Sequence, residues 1–417
     1  MDFERRYTPE QEEFRSEVRT WLAENVPTDL KRPLENSHID PETWDKVQVV
    51  RRAMGVKGWL HPTYPKEYGG GGMSSDHEVI IQEELEKVDM PRVYDNTLDL
   101  PALLVWGTEE QKQEILRPRL LGEKAGWQLF TESSAGSDLA SLQMQAVRDG
   151  DDWILTGQKV FVGGDAGYAD ESTKVPDSSQ MGEMFTLAVT DPDAPRHRNM
   201  GYFMVPGEAS GVTVITQDLL VGQGKRQIFM DGVRIPATRL IGGETQGWQV
   251  AQTTLEIEHG GGGDVVPRSR TLEKFLKYAF EKGLDKDSHN QQVMMQAYID
   301  NQVLRLLGMR NFWMYSSGQE MTFHGSQQSA WRRESGIRIG DAIREVAGMK
   351  ALLDFEDPGA PIGGEMEVHQ RESLTAAHPG GTIEVQKVIV ARRLGISRTR
   401  ERAAPTPSTT GTATAAD

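Results

Sequence analysis

The chain has 417 residues, enough for two or three domains with separate cores, and its 37% hydrophobic and 26% charged residues suit a soluble globular protein. A formal charge of −16, from 46 Lys and Arg against 62 Asp and Glu, argues against a general affinity for nucleic-acid phosphates. The absence of cysteine excludes disulfides, thiolate metal sites and cysteine nucleophiles, and no stretch approaches the roughly 20 apolar residues of a membrane span.

The N-terminal MDFERRYTPEQEEF is charged from its second residue and has no apolar h-region, so a cytoplasmic enzyme is expected. In the following segment Phe14, Val18, Trp21 and Leu22 form the stripe of an amphipathic helix. Thr8 is its N-cap, Pro9 its first residue, and Glu10 an acid in its first turn. The glycine run Gly69 to Gly72 precedes a second helix, HEVIIQEELEKV, and Thr108 caps a third. From about residue 125 short β-branched and aromatic runs alternate with turn residues, and Arg148-Asp149-Gly150-Asp151 between two of them predicts a hairpin. After Gly247-Trp248 the pattern is helical to about residue 400, with punctuation near 358–363 and 379–381. The order is α+β: helical 1–123, a β-barrel or sandwich over 124–240, helices over 241–400, and a disordered Pro/Thr/Ala tail over 401–417.

Nucleotide and metal motifs are missing. Gly69 to Gly72 follows no predicted strand, and Gly222-Gln223-Gly224-Lys225-Arg226 lacks the spacing of a P-loop. Nine histidines show no HExxH or comparable spacing, so no metal site is expected.

Six segments in order resemble the acyl-CoA dehydrogenase family. They are Trp59-Leu60 with Pro65 to Gly70, GTEEQKQEILRPRLLGEKAG, Phe130 to Asp138 (against T-E-x-x-A-G-S-D), Leu155 to Val162, DGVRIPATRLIGGETQGW, and PGGTIEVQKVIVARRLGI. The resemblance extends to about residue 398 and implies a C-terminal four-helix bundle, with FAD between the β domain and the bundle. It also implies an acyl-CoA substrate and electron-transfer flavoprotein as acceptor. The assembly it implies is a homodimer or homotetramer, with a heteromer also open.

The family reaction removes a weakly acidic α-proton, which needs a positioned carboxylate, and a β-hydride, which needs flavin because side chains do not accept electron pairs. The family carries its base at either of two positions. Just before the G-T of the C-terminal signature this chain has Gly380, which cannot be a base. On the first helix of the bundle it has Glu258, followed by His259 where the family usually has arginine. The resemblance therefore makes Glu258 the catalytic base and His259 a substrate contact; read alone, Glu258 is one more acid on a solvated helix face. For FAD it implies Gln128, Thr131, Gly136, Ser137, Phe161, Val162, Gly163, Gly381, Thr382 and Glu384, with Ser137 also able to meet the substrate. The residues themselves leave other readings open: a β-turn with a serine cap over 131–137, core packing for Phe161, and a helix N-cap at Thr382.

Several departures matter. Gly163 replaces a hydroxyl residue that meets the flavin in the family. The usual R-x-x-F-G is absent from YAFEKGLDKDS, and 170–184 reads as an inserted surface loop. Related monooxygenase, N-hydroxylase or desulfinase chemistry, or a non-catalytic subunit of a heteromer, are the alternatives. Gly260 to Gly263, next to the proposed base, are either a helix break or close helix packing, or room for a branched or ring-bearing acyl group.

Overall fold

A computed structural model describes residues 7–34, 40–93, 96–163, 182–256, 258 and 269–397. His259, Gly260 to Gly263, most of the 170–184 segment and the tail lie outside them. Chain contacts define two compact units, which among described residues comprise 7–256 and 258–397.

The first unit begins with helices. α1 (Pro9–Asn25) starts at the expected cap: the Thr8 hydroxyl accepts from the Gln11 amide, and the Gln11 side chain accepts from the Thr8 amide. Val18 and Leu22 are buried in a cluster with residues of α2 (Pro41–Val56) and α3 (Ser75–Leu85), and Phe14 and Trp21 pack against its rim. α4 (Leu100–Trp106) is followed by α5 (Glu109–Gln111), capped by Thr108 as expected, and by α6 (Arg117–Leu120). Between α4 and α6 runs a fully buried ion pair, Asp99 with Arg119, whose second guanidinium nitrogen donates to the Asn96 carbonyl at 2.7 Å.

The strands are β1 (Gly126–Leu129), β2 (Gln145–Asp149), β3 (Asp152–Gly163), β4 (Glu183–Val189), β5 (Met200–Pro206), β6 (Val212–Leu219), β7 (Gly222–Pro236) and β8 (Leu240–Ile241). They form one eight-stranded sheet in the order β6-β7-β3-β2-β4-β5-β8, with β1 parallel to β4. The predicted hairpin is present: Asp149 pairs with Asp152, and Gly150 has the positive φ of 62° that a two-residue turn requires. The sheet folds on itself. Leu155, Ile228 and Met230 of one half share a core with Trp127, Met184 and Phe203 of the other. α7 (Gly247–Glu256) packs on α4 and β5, held by Trp106 Nε1 to Thr253 Oγ1 at 3.0 Å and by the Tyr202 and Thr254 hydroxyls at 3.2 Å.

The second unit is helical: α8 (Arg270–Glu281), α9 (Ser288–Ser316), α10 (His324–Ala347), α11 (Glu365–Thr375) and α12 (Ile383–Arg393). α10 is its centre and touches the other four. Its chain turns fall at the glycines, because Gly363, Gly364, Gly380 and Gly381 all have positive φ. The fold class is thus the α+β arrangement the patterns imply: helices, a central sheet, then helices. No helix among the described residues is long and apolar enough to cross a membrane.

Candidate functional site

In the first unit the site residues gather on β1, the loop after it, and the end of β3. Gln128 is half-buried on β1, where its Oε1 accepts from Asn96 Nδ2 at 3.5 Å. Thr131 is tied to β3 through its carbonyl, which accepts from the Val160 amide at 2.8 Å. Glu132 and Ala135 exchange backbone hydrogen bonds of 3.0 and 3.1 Å, closing a tight turn after which Gly136 and Ser137 are exposed. A Cβ at Gly136 would meet nothing within 4 Å, so the backbone there faces open space.

What fastens this loop is a buried ion pair that sequence reasoning did not single out. The Glu132 carboxylate accepts from Lys159 Nζ at 2.8 Å and from the backbone N–H groups of Gln143 and Met144 at 2.7 and 3.0 Å. Lys159 is 1% exposed, and burial lowers it to about 8, with Glu132 opposing the shift. A lysine within a strand, next to Val160, set against a glutamate in a turn, is the only signal the sequence offers for this pair.

Two residues beyond Lys159 the strand bulges. The β3–β7 register shifts between Lys159 and Val162, and Phe161 within the bulge takes a left-handed φ of 57°. Its ring is 55% exposed, so Phe161 is not core, and its amide donates to Gln217 Oε1 at 3.0 Å. An aromatic residue with positive φ is strained by about 1–2 kcal/mol. Strain spent on turning a large ring outward suits a ligand platform. Val162 points the other way, into the core, so only its backbone faces outward. Gly163 pairs with Lys225 of β7, and a Cβ there would stand 2.2 Å from Lys225 Nζ; the ammonium fills the space of the missing side chain.

Phe161→Gly offers a test of the platform. Glycine relieves the positive φ but loosens the unfolded chain, so the unliganded protein should keep its stability to within about 1 kcal/mol. Affinity for the FAD that the sequence resemblance implies should fall roughly 3- to 10-fold, as for loss of one aromatic contact. Flavin titration and thermal unfolding separate the two; an apo protein destabilised well beyond that would mean that the ring serves packing.

In the second unit Thr382 caps α12, its hydroxyl accepting from the Val385 amide at 3.3 Å. Glu384 is exposed in the first turn, and its own backbone amide and the Thr382 hydroxyl hold its carboxyl below the usual range. The Gly380-Gly381 turn before the cap has φ values of 64° and 77°. Over Gly380 lies Glu258: a Cβ at 380 would be 3.2 Å from Glu258 Oε1 and 3.4 Å from its Cγ. The carboxylate at 258 therefore occupies the space that a side chain at 380 would enter. Among the described residues no cluster of His, Asp and Glu is placed to hold a metal.

Comparison with known proteins bears on the family of the chain. Family profiles described as "Acyl-CoA dehydrogenase, N-terminal domain" and "Acyl-CoA dehydrogenase, middle domain" match residues 8–123 and 128–233. The chain is 27% identical to acyl-CoA dehydrogenase FadE26 of Mycobacterium tuberculosis, over 94% of this chain and 98% of that one. It is 29% identical to acyl-CoA dehydrogenase IpdE1 of the same organism, over 93% and 98%. Among solved structures, one titled "Tcur3481-Tcur3483 steroid ACAD" superposes with a TM-score of 0.76 at 26% identity, covering 96% of this chain and all (100%) of that one. The ChsE4-ChsE5 complex from Mycobacterium tuberculosis gives a TM-score of 0.72 at 25% identity, covering 95% and 100%.

Proposed function

Because the chain belongs to the acyl-CoA dehydrogenase family, we propose that it is an FAD-dependent enzyme that oxidises a branched or polycyclic acyl-CoA between its α and β carbons, with Glu258 as the base. The observation that carries this assignment is the place of the Glu258 carboxylate, 3.2 Å from where a Cβ at position 380 would stand. Of the two places where the family puts its base, one holds only a glycine here, and the carboxylate of the other lies directly over it.

The donor set fits FAD. The open backbone at Gly136, the outward ring of Phe161 and the hydroxyl of Thr131 give a surface for an aromatic ring system with a phosphate tail. Gln128, Thr131, Gly136, Ser137, Phe161 and the backbone of Val162 and Gly163 would hold it; the family resemblance also assigns to the cofactor Gly381 and Thr382, before α12, and Glu384, in its first turn. FAD, when bound, supplies the acceptor for the β-hydrogen and its electron pair. Glu258 takes the α-proton, while Ser137 and His259 meet the thioester substrate. Electron-transfer flavoprotein is the proposed acceptor for the reduced enzyme.

The bulky acyl group is supported by the glycines at 260–263 and by a structural relative titled "steroid ACAD". The two solved relatives, Tcur3481-Tcur3483 and ChsE4-ChsE5, are each named as a pair, which favours a heteromer with a second related subunit over a homo-oligomer. An activity panel tests both points. Steroid-acyl and branched acyl-CoAs should turn over faster than octanoyl-CoA, and co-expression with a related subunit should raise FAD content. A preference for octanoyl-CoA would sink the substrate class, and a colourless protein that takes up no FAD in either form would sink the flavoenzyme reading.

A further inference from the structure

A cation sits beside the proposed base. Arg333 on α10 is 5% exposed. Its Nη2 donates to the Pro379 carbonyl at 2.6 Å and to the Gly380 carbonyl at 3.2 Å. Its Nη1 donates to the Ser329 carbonyl at 3.0 Å and also to the Ser329 hydroxyl. The Gly380 carbonyl is held from the other side by Gln386 Nε2 of α12, at 2.7 Å. One guanidinium thus clamps the glycine turn to α10, while α12 holds it from behind.

A Cβ at Gly380 would be 3.2 Å from Arg333 Nη2 and 3.2 Å from Glu258 Oε1, so the two charged atoms are at most 6.4 Å apart, the sum of those distances. Carbonyl oxygens alone leave a buried guanidinium without a counter-charge, an arrangement that is costly unless an anion is near. The Glu258 carboxylate is that anion. Burial and Arg332 make Arg333 easier to deprotonate, lowering it to about 10, and Glu258 opposes the shift. The interaction is mutual, so the same cation favours the charged form of Glu258.

We propose that Arg333 is the positioning residue for Glu258: it locks the 379–380 turn against α10 and, by its charge, holds the Glu258 carboxylate over Gly380. The proposal rests on the reading of Glu258 as the base. Among the described residues, the charge of Arg332 on α10 acts on Arg333, the neutral Gln386 on α12 meets the Gly380 carbonyl, and His378 in the turn is charge-coupled to Glu384.

The test compares Arg333→Gln and Arg333→Lys with wild type, using circular dichroism and thermal unfolding as the check of folding. The first readout is the carboxyl ¹³C resonance, in glutamate-labelled protein, that disappears in Glu258→Gln. In Arg333→Gln its titration midpoint should move upward by about one pH unit; in Arg333→Lys, which keeps the cation, it should stay near the wild-type value. The second readout is substrate-driven flavin reduction, whose pH midpoint should move in the same direction, with the rate recovering at high pH. A purely structural clamp would lower the rate equally at every pH and leave the ¹³C midpoint in place, and that result overturns the proposal. A Lys variant shifted as far as the Gln variant also overturns it. If Glu258→Gln reduces flavin at the wild-type rate while the ¹³C shift is present, the base assignment fails and the charge coupling stands.

Discussion

Glu258→Gln is expected to slow reduction of the bound flavin by acyl-CoA by roughly 10²–10⁴-fold, the usual contribution of a positioned general base. The substitution keeps the shape of the side chain over Gly380 and removes its ability to accept a proton. Its effect should therefore fall on the chemical step, equivalent to a barrier higher by about 3–5 kcal/mol, while FAD content and substrate affinity change little. Stopped-flow bleaching of the flavin measures it, and a wild-type rate would refute the assignment. The geometry also sets the terms of a rescue. Glutamate at position 380 would meet a side chain still present at 258, and would adopt a positive φ that costs about 1–2 kcal/mol. Recovery of the base at 380 should thus require Glu258→Ala together with Gly380→Glu, and not Gly380→Glu on the Gln background.

The second large effect concerns stability and cofactor retention together. Glu132→Ala leaves the Lys159 ammonium buried with the Phe130 carbonyl as its remaining acceptor, at 3.3 Å, and takes the acceptor from two backbone N–H groups. Removing one member of such a buried pair costs about 3–5 kcal/mol. In a unit of this size that is a fall in Tm of about 10 °C. FAD affinity should fall with it, because the turn that presents Thr131, Gly136 and Ser137 hangs from this carboxylate. The pH dependence follows from Lys159. Its folded value of about 8 lies below the unfolded 10.5, so the unfolded chain binds more protons between those values and this group's contribution to stability rises with pH across that window. Without Glu132, which opposes the shift, the rise should begin at lower pH. The gap between variant and wild type should consequently narrow from pH 7 to pH 9. Adding Lys159→Met should restore much of the loss. A gap independent of pH, or a double variant as unstable as the single, would mean that the pair is not the fastening.

The fold was largely legible because its signals are local. The Thr8 and Thr108 caps, the Phe14–Leu22 stripe and the turn at Gly150 each depend on neighbours within a few residues, and the structure carries all of them. The site was legible only as a set of positions. Phe161 kept core packing open as an alternative, because a strand's alternation does not announce a bulge that turns its ring to solvent. Val162 could be named only as a member of a motif; its side chain lies in the core.

What the sequence by itself determined is therefore the α+β order of elements, the family, and the fact that position 380 has no carboxylate while 258 does. What only the tertiary structure decided is that the Glu258 carboxylate lies beside Gly380, that Arg333 clamps the same turn, that Glu132 pairs with Lys159, and that Lys225 fills the space at Gly163. The reason is physical. Caps, turns and periodic burial arise from short-range backbone and solvent effects that each segment carries within it. Charge pairs and steric exclusions between residues distant in the chain exist only once packed helices and paired strands fix their register.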